Sequence, residues 1–237
     1  MTMRGSTRVR SALLLLLLGL LRPLGAQTIR PAVVEYSEQA RGKFELVNET
    51  LFPLTVVLEP RSFHVEPSGD LIEEPLDTAR MQVRLSAMSF RIPPRETYTV
   101  FYEATAKGFP AWFLVSSILT GARTQTGLNV RIELPHVVYM LQPEPLRKAD
   151  VAVRAFDFDS VAKRVRVELE NTGVSLGRVL SSEVSVDGKK GIPGGAFPLF
   201  PHSHRTLEIH WNDGATPEKL VLRFANFTVE ERRKGAN

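Results

Sequence analysis

The sequence predicts an all-β protein built from two β-sandwich domains, and three observations support this. Short runs of alternating apolar and polar residues, separated by turn-forming residues, begin after Gln27 and continue almost to the end of the chain. One segment with two prolines and several charged residues, residues 142–148, interrupts the alternation. A strand leading into an asparagine turn occurs once on each side of this interruption. We therefore expect domains at residues 27–141 and 149–237, joined by a connector at residues 142–148.

The alternating runs have the spacing of an antiparallel sandwich, in which strands recur about every 8 to 12 residues. Before the connector they are residues 43–47, 54–58, 98–102, 112–119 and 128–134. After the connector they are residues 151–153, 165–169, 179–186, 206–211 and 220–224.

The two asparagine turns suggest that the halves are related. Residues 44–50 and 167–173 each pass from an alternating strand into a turn that begins at Asn48 or Asn171. An asparagine side chain can bond the local backbone and tolerates left-handed geometry, which suits such a turn. Two related domains explain the repetition, although two unrelated sandwiches could share a turn of this kind.

The first 26 residues have the layout of a secretory signal peptide. Basic residues at Arg4, Arg8 and Arg10 precede an apolar run of ten residues, 12–21, and a small residue, Ala26, closes the segment. The run is shorter than the roughly 20 apolar residues that a membrane-spanning helix needs. We expect cleavage after Ala26, export to the periplasm, and a mature chain without an integral membrane segment.

Composition narrows the class of partner. The net charge of +4 comes from 30 basic and 26 acidic residues. The signal segment holds four of the arginines and no acid, so the mature chain is left with 26 charges of each sign. This balance gives no basic footprint for nucleic acid or an anionic membrane. The chain has no cysteine, so it has neither disulfides nor thiolate ligands, and apolar burial must supply its stability.

Residues that could carry chemistry are few. His202, His204 and His210 form the one histidine cluster, and two of them could meet a metal on one strand face, but no third ligand is apparent. An exposed turn that enters a strand explains the cluster better. Asp157 and Asp159 share a strand face, and the aromatic residues that alternate with them indicate that the carboxylates face solvent. Because hydrolase, phosphate-loop and metalloprotease motifs are absent from the sequence, we predict no enzyme, catalytic residue, metal or cofactor.

Four features of the first half follow a fixed order. They are the strand with its asparagine at residues 42–48, the segment Ser-Phe-Arg-Ile-Pro-Pro at residues 89–94, the alternating strand at residues 98–102, and residues 110–115 followed by a hairpin into residues 128–135. This arrangement resembles the N-terminal domain of periplasmic PapD-like pilus chaperones over residues 28–141. The second half is similar to that family in size, β pattern and residues 167–171.

The resemblance implies two immunoglobulin-like domains joined at an angle, with a cleft that holds a pilus subunit lacking its last strand. The chaperone lends an edge strand, and main-chain bonds together with alternate side chains hold the subunit. The matching donor residues here are Leu128, Val130, Ile132 and Leu134, all on one strand face. An ordinary half-buried strand would show the same alternation, so that alternative stays open.

The family also anchors the terminal carboxylate of the subunit with an arginine and a lysine. Arg30 lies near the first position, and His136 replaces the lysine at the second. A neutral imidazole gives no charge-assisted bond to a carboxylate, which points to a divergent member. The implied partners are pilus or fimbrial subunits and an outer-membrane usher. The alternative is an exported PapD-like binding or structural module that works without an usher.

Overall fold

The structure, a computed structural model, describes residues 27–123, 129–186, 189 and 191–233. Nearly all regular structure in these residues is β, and one 3₁₀ turn, Lys148–Asp150, is the single helical element described. The predicted all-β class is therefore confirmed. None of the described residues form a helix with the length and apolar character needed to cross a membrane.

The first half of the chain forms two sheets around one core. Its strands are β1 (Thr28–Arg30), β2 (Val33–Ser37), β3 (Ala40–Val47), β4 (Leu54–Val65), β5 (Leu71–Pro75), β6 (Met81–Leu85), β7 (Ser89–Ile92), β8 (Thr97–Ala106), β9 (Ala111–Arg123) and β10 (Asn129–Leu141). One sheet has the order β1-β3-β8-β6, and the other has the order β2-β10-β9-β4-β5, with β7 paired to β4. Fully buried Phe44, Leu58, Val100 and Phe113 lie between them.

The second half repeats this architecture on a smaller scale. Its strands are β11 (Val151–Asp159), β12 (Arg164–Asn171), β13 (Gly177–Ser185), β14 (Ile192–Leu199), β15 (Ser203–His210), β16 (Lys219–Arg223) and β17 (Thr228–Arg232). The sheets have the orders β11-β12-β15 and β14-β13-β16-β17. A separate core contains Val165, Val167, Leu220 and Trp211.

Each half contains a buried asparagine that organises a turn in the same way. The side-chain amide of Asn48 donates to the carbonyl of Phe52, four residues later, at 2.8 Å. Its side-chain oxygen accepts from the N–H of Thr50, two residues later, at 3.0 Å. Asn171 makes the equivalent bonds at 2.8 and 2.9 Å. Both side chains have 0% exposure. The repetition expected from sequence is thus also a repetition of local structure.

The sheets group on either side of residues 142–148, and in the described residues no strand is shared between the groups. The intervening segment is attached to the second half, since Gln142 exchanges two 3.1 Å bonds with the backbone of Leu176 and Leu146 is 5% exposed. A third apolar cluster joins the halves: Phe63 and Tyr139 of the first pack on Leu176 and Phe200 of the second. The domain boundaries drawn from sequence stay a prediction.

Candidate functional site

Strand β10 has a side that is only partly paired. It pairs antiparallel with β9 over its described length, from Asn129 to Met140. On its other side, β2 runs parallel to it but pairs only with Val137 to Leu141. Within the described residues, positions 129–136 of β10 therefore have one strand neighbour instead of two. This segment is called the free edge below.

Backbone direction on the free edge follows from one hydrogen bond. The N–H of Val137 donates to the carbonyl of Ala32 at 2.8 Å, so Val137 points its backbone groups away from β9. Because these groups alternate in direction along a strand, Glu133 and Pro135 point theirs to the same side. Pro135 has no N–H to offer. The N–H of Glu133 and the carbonyls of both residues thus face the open side.

The side chains of the free edge alternate as the sequence predicted. Val130, Ile132 and Leu134 are half-buried on one face and pack against the margin of the first core. Arg131 and Glu133 are exposed on the other face. Leu128, the fourth predicted donor residue, lies outside the described residues. The structure therefore brings three of the four predicted residues together, and their role as a donor strand stays a prediction.

A glycine on β9 shapes the start of the free edge. The register between β9 and β10 shifts between Val130 and Ile132, and Gly121 lies opposite this shift with a φ of 96°. L side chains rarely adopt that conformation, and a Cβ there would also come within 2.9 Å of the carbonyl of Pro53. The glycine permits a β-bulge, which locally increases twist.

His136, the residue that stands where the resemblance expects a lysine, lies in the core. Its side chain has 0% exposure and stacks on Phe44 with ring centroids 4.6 Å apart. Nδ1 donates to the carbonyl of Pro31 at 2.7 Å, since a carbonyl can only accept. Nε2 then accepts from the hydroxyl of Tyr102 at 3.1 Å, and that oxygen accepts from Tyr36 at 2.8 Å.

Burial governs the charge of this network. It lowers the pKa of His136, although the bond to the Pro31 carbonyl opposes that shift, and it raises the pKa of Tyr102. Both groups are therefore neutral at neutral pH. With both ring nitrogens occupied and no exposed surface, the His136 side chain does not reach a ligand in this geometry. Anchoring by His136 remains a prediction from sequence that this geometry does not favour.

Arg30 is placed differently. It ends β1, its side chain is exposed, and no ion pair links it to another described residue. Two residues later, Ala32 accepts the bond from Val137 that marks the end of the free edge. The backbone thus brings Arg30 and His136 to the same end of the free edge, but only Arg30 offers a charge to solvent.

Sequence reasoning missed the polar contact between the domains. Arg178 on β13 donates to a carboxylate oxygen of Glu35 on β2 at 2.6 Å and lies over the ring of Tyr139 at 5.3 Å from its centroid. A cavity of about 220 Å³, lined mainly by apolar groups including Leu180 and Phe227, adjoins this pair. Nothing in the sequence indicated that two residues 143 positions apart would meet.

The histidine cluster weighed as a metal site is exposed at all three positions, His202, His204 and His210. Among the described residues, no three histidine or carboxylate side chains gather as a metal site requires. Asp157 and Asp159 are exposed, whereas Phe156 is buried and Phe158 half-buried.

Comparisons with solved structures decide the fold. The YadV chaperone matches with a TM-score of 0.53 at 15% identity, over 87% of this chain and 98% of that one. A chain of the SafA pilin–SafB chaperone complex from Salmonella enterica matches with 0.53 at 12%, over 89% and 98%. The class 5 fimbriae chaperone CfaA matches with 0.50 at 8%, over 88% and 99%.

The chain has the PapD-like chaperone fold. The resemblance expected from the sequence is thereby confirmed for the fold, across both domains. A scan of protein-family models matches none, and a search of curated proteins finds no sequence relative. At 8 to 15% identity, the likeness concerns architecture alone.

Within the PapD-like fold, β10 is an interior strand of its sheet, yet residues 129–136 lack a second strand neighbour among the described residues. An unpaired strand edge is a template for another strand, and proteins usually shorten it, charge it or cover it. Here β2 covers the last five residues of β10, and Pro135 removes one donor. The remainder keeps an apolar face and open backbone groups.

Proposed function

We propose that this protein is a periplasmic chaperone for pilus or fimbrial subunits, which it holds by lending the free edge of β10 and delivers to an outer-membrane usher. The observation that carries the proposal is the free edge itself: a half-buried apolar face, Val130, Ile132 and Leu134, on a strand with one side open. Addition of a client strand would satisfy the open backbone groups and complete the burial of these side chains.

The free energy available from completing this burial is large enough to contribute substantially to client binding. Fully burying an aliphatic side chain contributes about 1.5 to 3 kcal/mol. Since these three side chains are already half-buried, completing their burial would contribute roughly half of that each, before the cost of ordering the client. The main-chain bonds add affinity that does not depend on client sequence.

Arg30 supports one direction for the client strand. Because β2 already runs parallel to β10 on the open side, a client strand parallel to β10 would end where β2 begins. Arg30 lies at that junction with an exposed guanidinium. A guanidinium can bind a carboxylate through two parallel bonds, so Arg30 is suited to hold the end of the client chain.

The test pairs stability with capture. Val130→Glu and Ile132→Glu should abolish co-purification with subunits encoded beside the gene, because each places a carboxylate in the client's groove. Both should lower the melting temperature only modestly, since water reaches the free edge. Arg131→Glu, on the opposite face, is the matched control and should capture clients like the wild type. Arg30→Ala should weaken capture without unfolding.

Two results would contradict the proposal. If Val130→Glu and Ile132→Glu fold normally and still capture clients, the donor strand lies elsewhere. If both unfold the free protein, the strand belongs to the core and the proposed mechanism is lost. The genes on either side of this one separate the two roles. Neighbouring usher and subunit genes would favour the usher-coupled role, and their absence would favour an exported module that works alone.

Export is tested separately. We expect cleavage after Ala26, so that mass spectrometry of the periplasmic fraction finds an N-terminus at Gln27. Recovery of the uncleaved chain from the membrane fraction would overturn this part of the proposal.

A further inference from the structure

The hairpin between β4 and β5 reaches from the first domain to the second. Its turn is closed by two backbone bonds, from Glu66 to the carbonyl of Asp70 at 2.9 Å and from Gly69 to the carbonyl of Glu66 at 2.8 Å. Gly69 has a φ of 100°, a region that L side chains rarely adopt. The turn therefore presents the carbonyl of Pro67 and the bare Cα of Gly69 outward.

Both groups meet strand β15 of the second domain. The N–H of Thr206 donates to the carbonyl of Pro67 at 2.7 Å. The guanidinium of Arg205 lies so close to Gly69 that a Cβ on that residue would overlap it. β15 is an edge strand of its sheet, so the hairpin covers part of an open edge.

Arg205 is built into this contact. Its guanidinium lies over the ring of Phe197, 5.5 Å from the centroid, and its Nε is buried with no hydrogen-bond partner in the described structure. Burial of a cation without full compensation is costly, so a close fit around it is needed to keep it there. Because Phe197 lies on one side of the guanidinium and Gly69 on another, this side chain has less freedom to move than a surface arginine.

The contact lies at the opposite edge of the sheet from the Glu35–Arg178 pair. β2 and β5 are the two ends of the order β2-β10-β9-β4-β5, roughly 19 Å apart at the usual spacing of neighbouring strands. The cluster of Phe63, Tyr139 and Phe200 lies between them. The second domain is thus held at both edges of one sheet, and not only at the connector.

We propose that the β4–β5 hairpin is an interdomain latch, in which Pro67 and Gly69 dock on Thr206 and Arg205 and fix the angle between the two domains. Two contacts at opposite edges of one sheet resist rotation that a single contact would allow. The latch is independent of the proposed function, since it concerns the free protein.

Because the chain has no cysteine, spin labels attach only at cysteines introduced for the experiment. Spin labels at Met88→Cys and Val161→Cys, which are 54% and 93% exposed, report the distance between the domains by pulsed electron paramagnetic resonance. In the latched protein the distance distribution should be narrow. Arg205→Ala, which removes the guanidinium, and Gly69→Ala, which displaces it, should each broaden the distribution at least about twofold, because weakly held domains move relative to one another.

Two control variants separate the latch from general effects. Gly195→Ala places a Cβ at a similar φ of 92° with no atom within 4 Å, so it adds backbone strain without a clash. Arg164→Ala removes an exposed arginine that pairs with Glu208 at 3.1 Å. Both should keep the narrow distribution.

The proposal is overturned if Arg205→Ala leaves the distribution as narrow as in the wild type. It is also overturned if Gly195→Ala broadens the distribution as much as Gly69→Ala does, since strain alone would then explain the effect. Should Gly69→Ala fail to fold, Arg205→Ala decides the matter by itself.

Discussion

The two halves of β10 differ both in residue pattern and in surroundings. In the first half, half-buried Val130, Ile132 and Leu134 alternate with exposed residues, and β9 is the one strand neighbour in the described structure. In the second half, five consecutive residues, 136–140, are all buried. From Val137 onward β2 covers the edge, and the second domain covers the outer face at Val137 and Tyr139. Alternation in this strand therefore marks where one face and one edge remain open.

The largest expected effect comes from placing the same charge in each half. Val138→Asp introduces a carboxylate at a position with 0% exposure and should lower the free energy of unfolding by at least about 3 kcal/mol. Ile132→Asp, on the same face but at the free edge, should cost about half as much, because water reaches the new charge. Urea denaturation of both variants measures the difference.

Equal losses would contradict the comparison. If Ile132→Asp destabilises the protein as much as Val138→Asp, the first half of β10 is core. Arg131→Asp is the matched control, since it introduces the same side chain at an exposed position of the free edge.

A smaller effect is expected at the junction of the two halves, where His136 lies. Burial lowers the pKa of His136 in the folded state below its ordinary value near 6.5. Above pH 6.5 the group is neutral in both states. As the pH falls below 6.5, the unfolded state takes up the proton first, so stability falls until the pH has passed the folded pKa.

Urea denaturation between pH 8 and pH 5 tests whether the free energy of unfolding falls on acidification. His136→Gln keeps a donor and an acceptor, should cost about 1 to 3 kcal/mol at pH 8, and should reduce the loss of stability on acidification. His210→Gln is the control, because it makes the same substitution at an exposed side chain. An unchanged dependence in His136→Gln would mean that the imidazole is not buried neutral.

Most of the longer strands were predicted from the sequence, and the short strands at sheet edges were not. Each of the ten predicted runs overlaps an observed strand, because every one of them contributes to a core. The seven strands not predicted lie at sheet edges, and six of them span five residues or fewer, which is too short for alternation to stand out in the sequence. The segment Glu-Pro-Ser-Gly-Asp at residues 66–70 is typical of a hairpin turn, but the predicted strands do not include the hairpin that it closes.

The site was predicted less completely than the fold, since its environment is non-local. The alternation of residues 128–134 was visible in the sequence, but the apolar run that follows His136 indicates a strand buried on both faces, and the prediction stopped short of it. The position of His136 depends on Pro31, 105 residues away, and on Tyr102, 34 residues away. No local pattern contains that information.

The smallest effect is expected for Pro135→Ala, which tests the direction of the free edge directly. Pro135 is exposed, and its nitrogen faces the open side, so the substitution breaks no bond to β9. Loss of the ring makes the unfolded chain more flexible, and the free energy of unfolding should fall by less than about 1 kcal/mol. Leu134→Pro is the contrasting variant, because Leu134 points its N–H toward β9 and should cost about 3 kcal/mol or more.

Hydrogen exchange of the new amide at position 135 gives a second readout. In the free protein this N–H has no acceptor and should exchange at close to the rate of an unstructured peptide, whereas the amide of Val137, bonded to Ala32, should be strongly protected. In a complex with a client the amide at 135 should become protected, because the client's strand supplies a carbonyl. Protection in the free protein would mean that position 135 faces β9, and the assignment of the open side would then be reversed along the whole free edge.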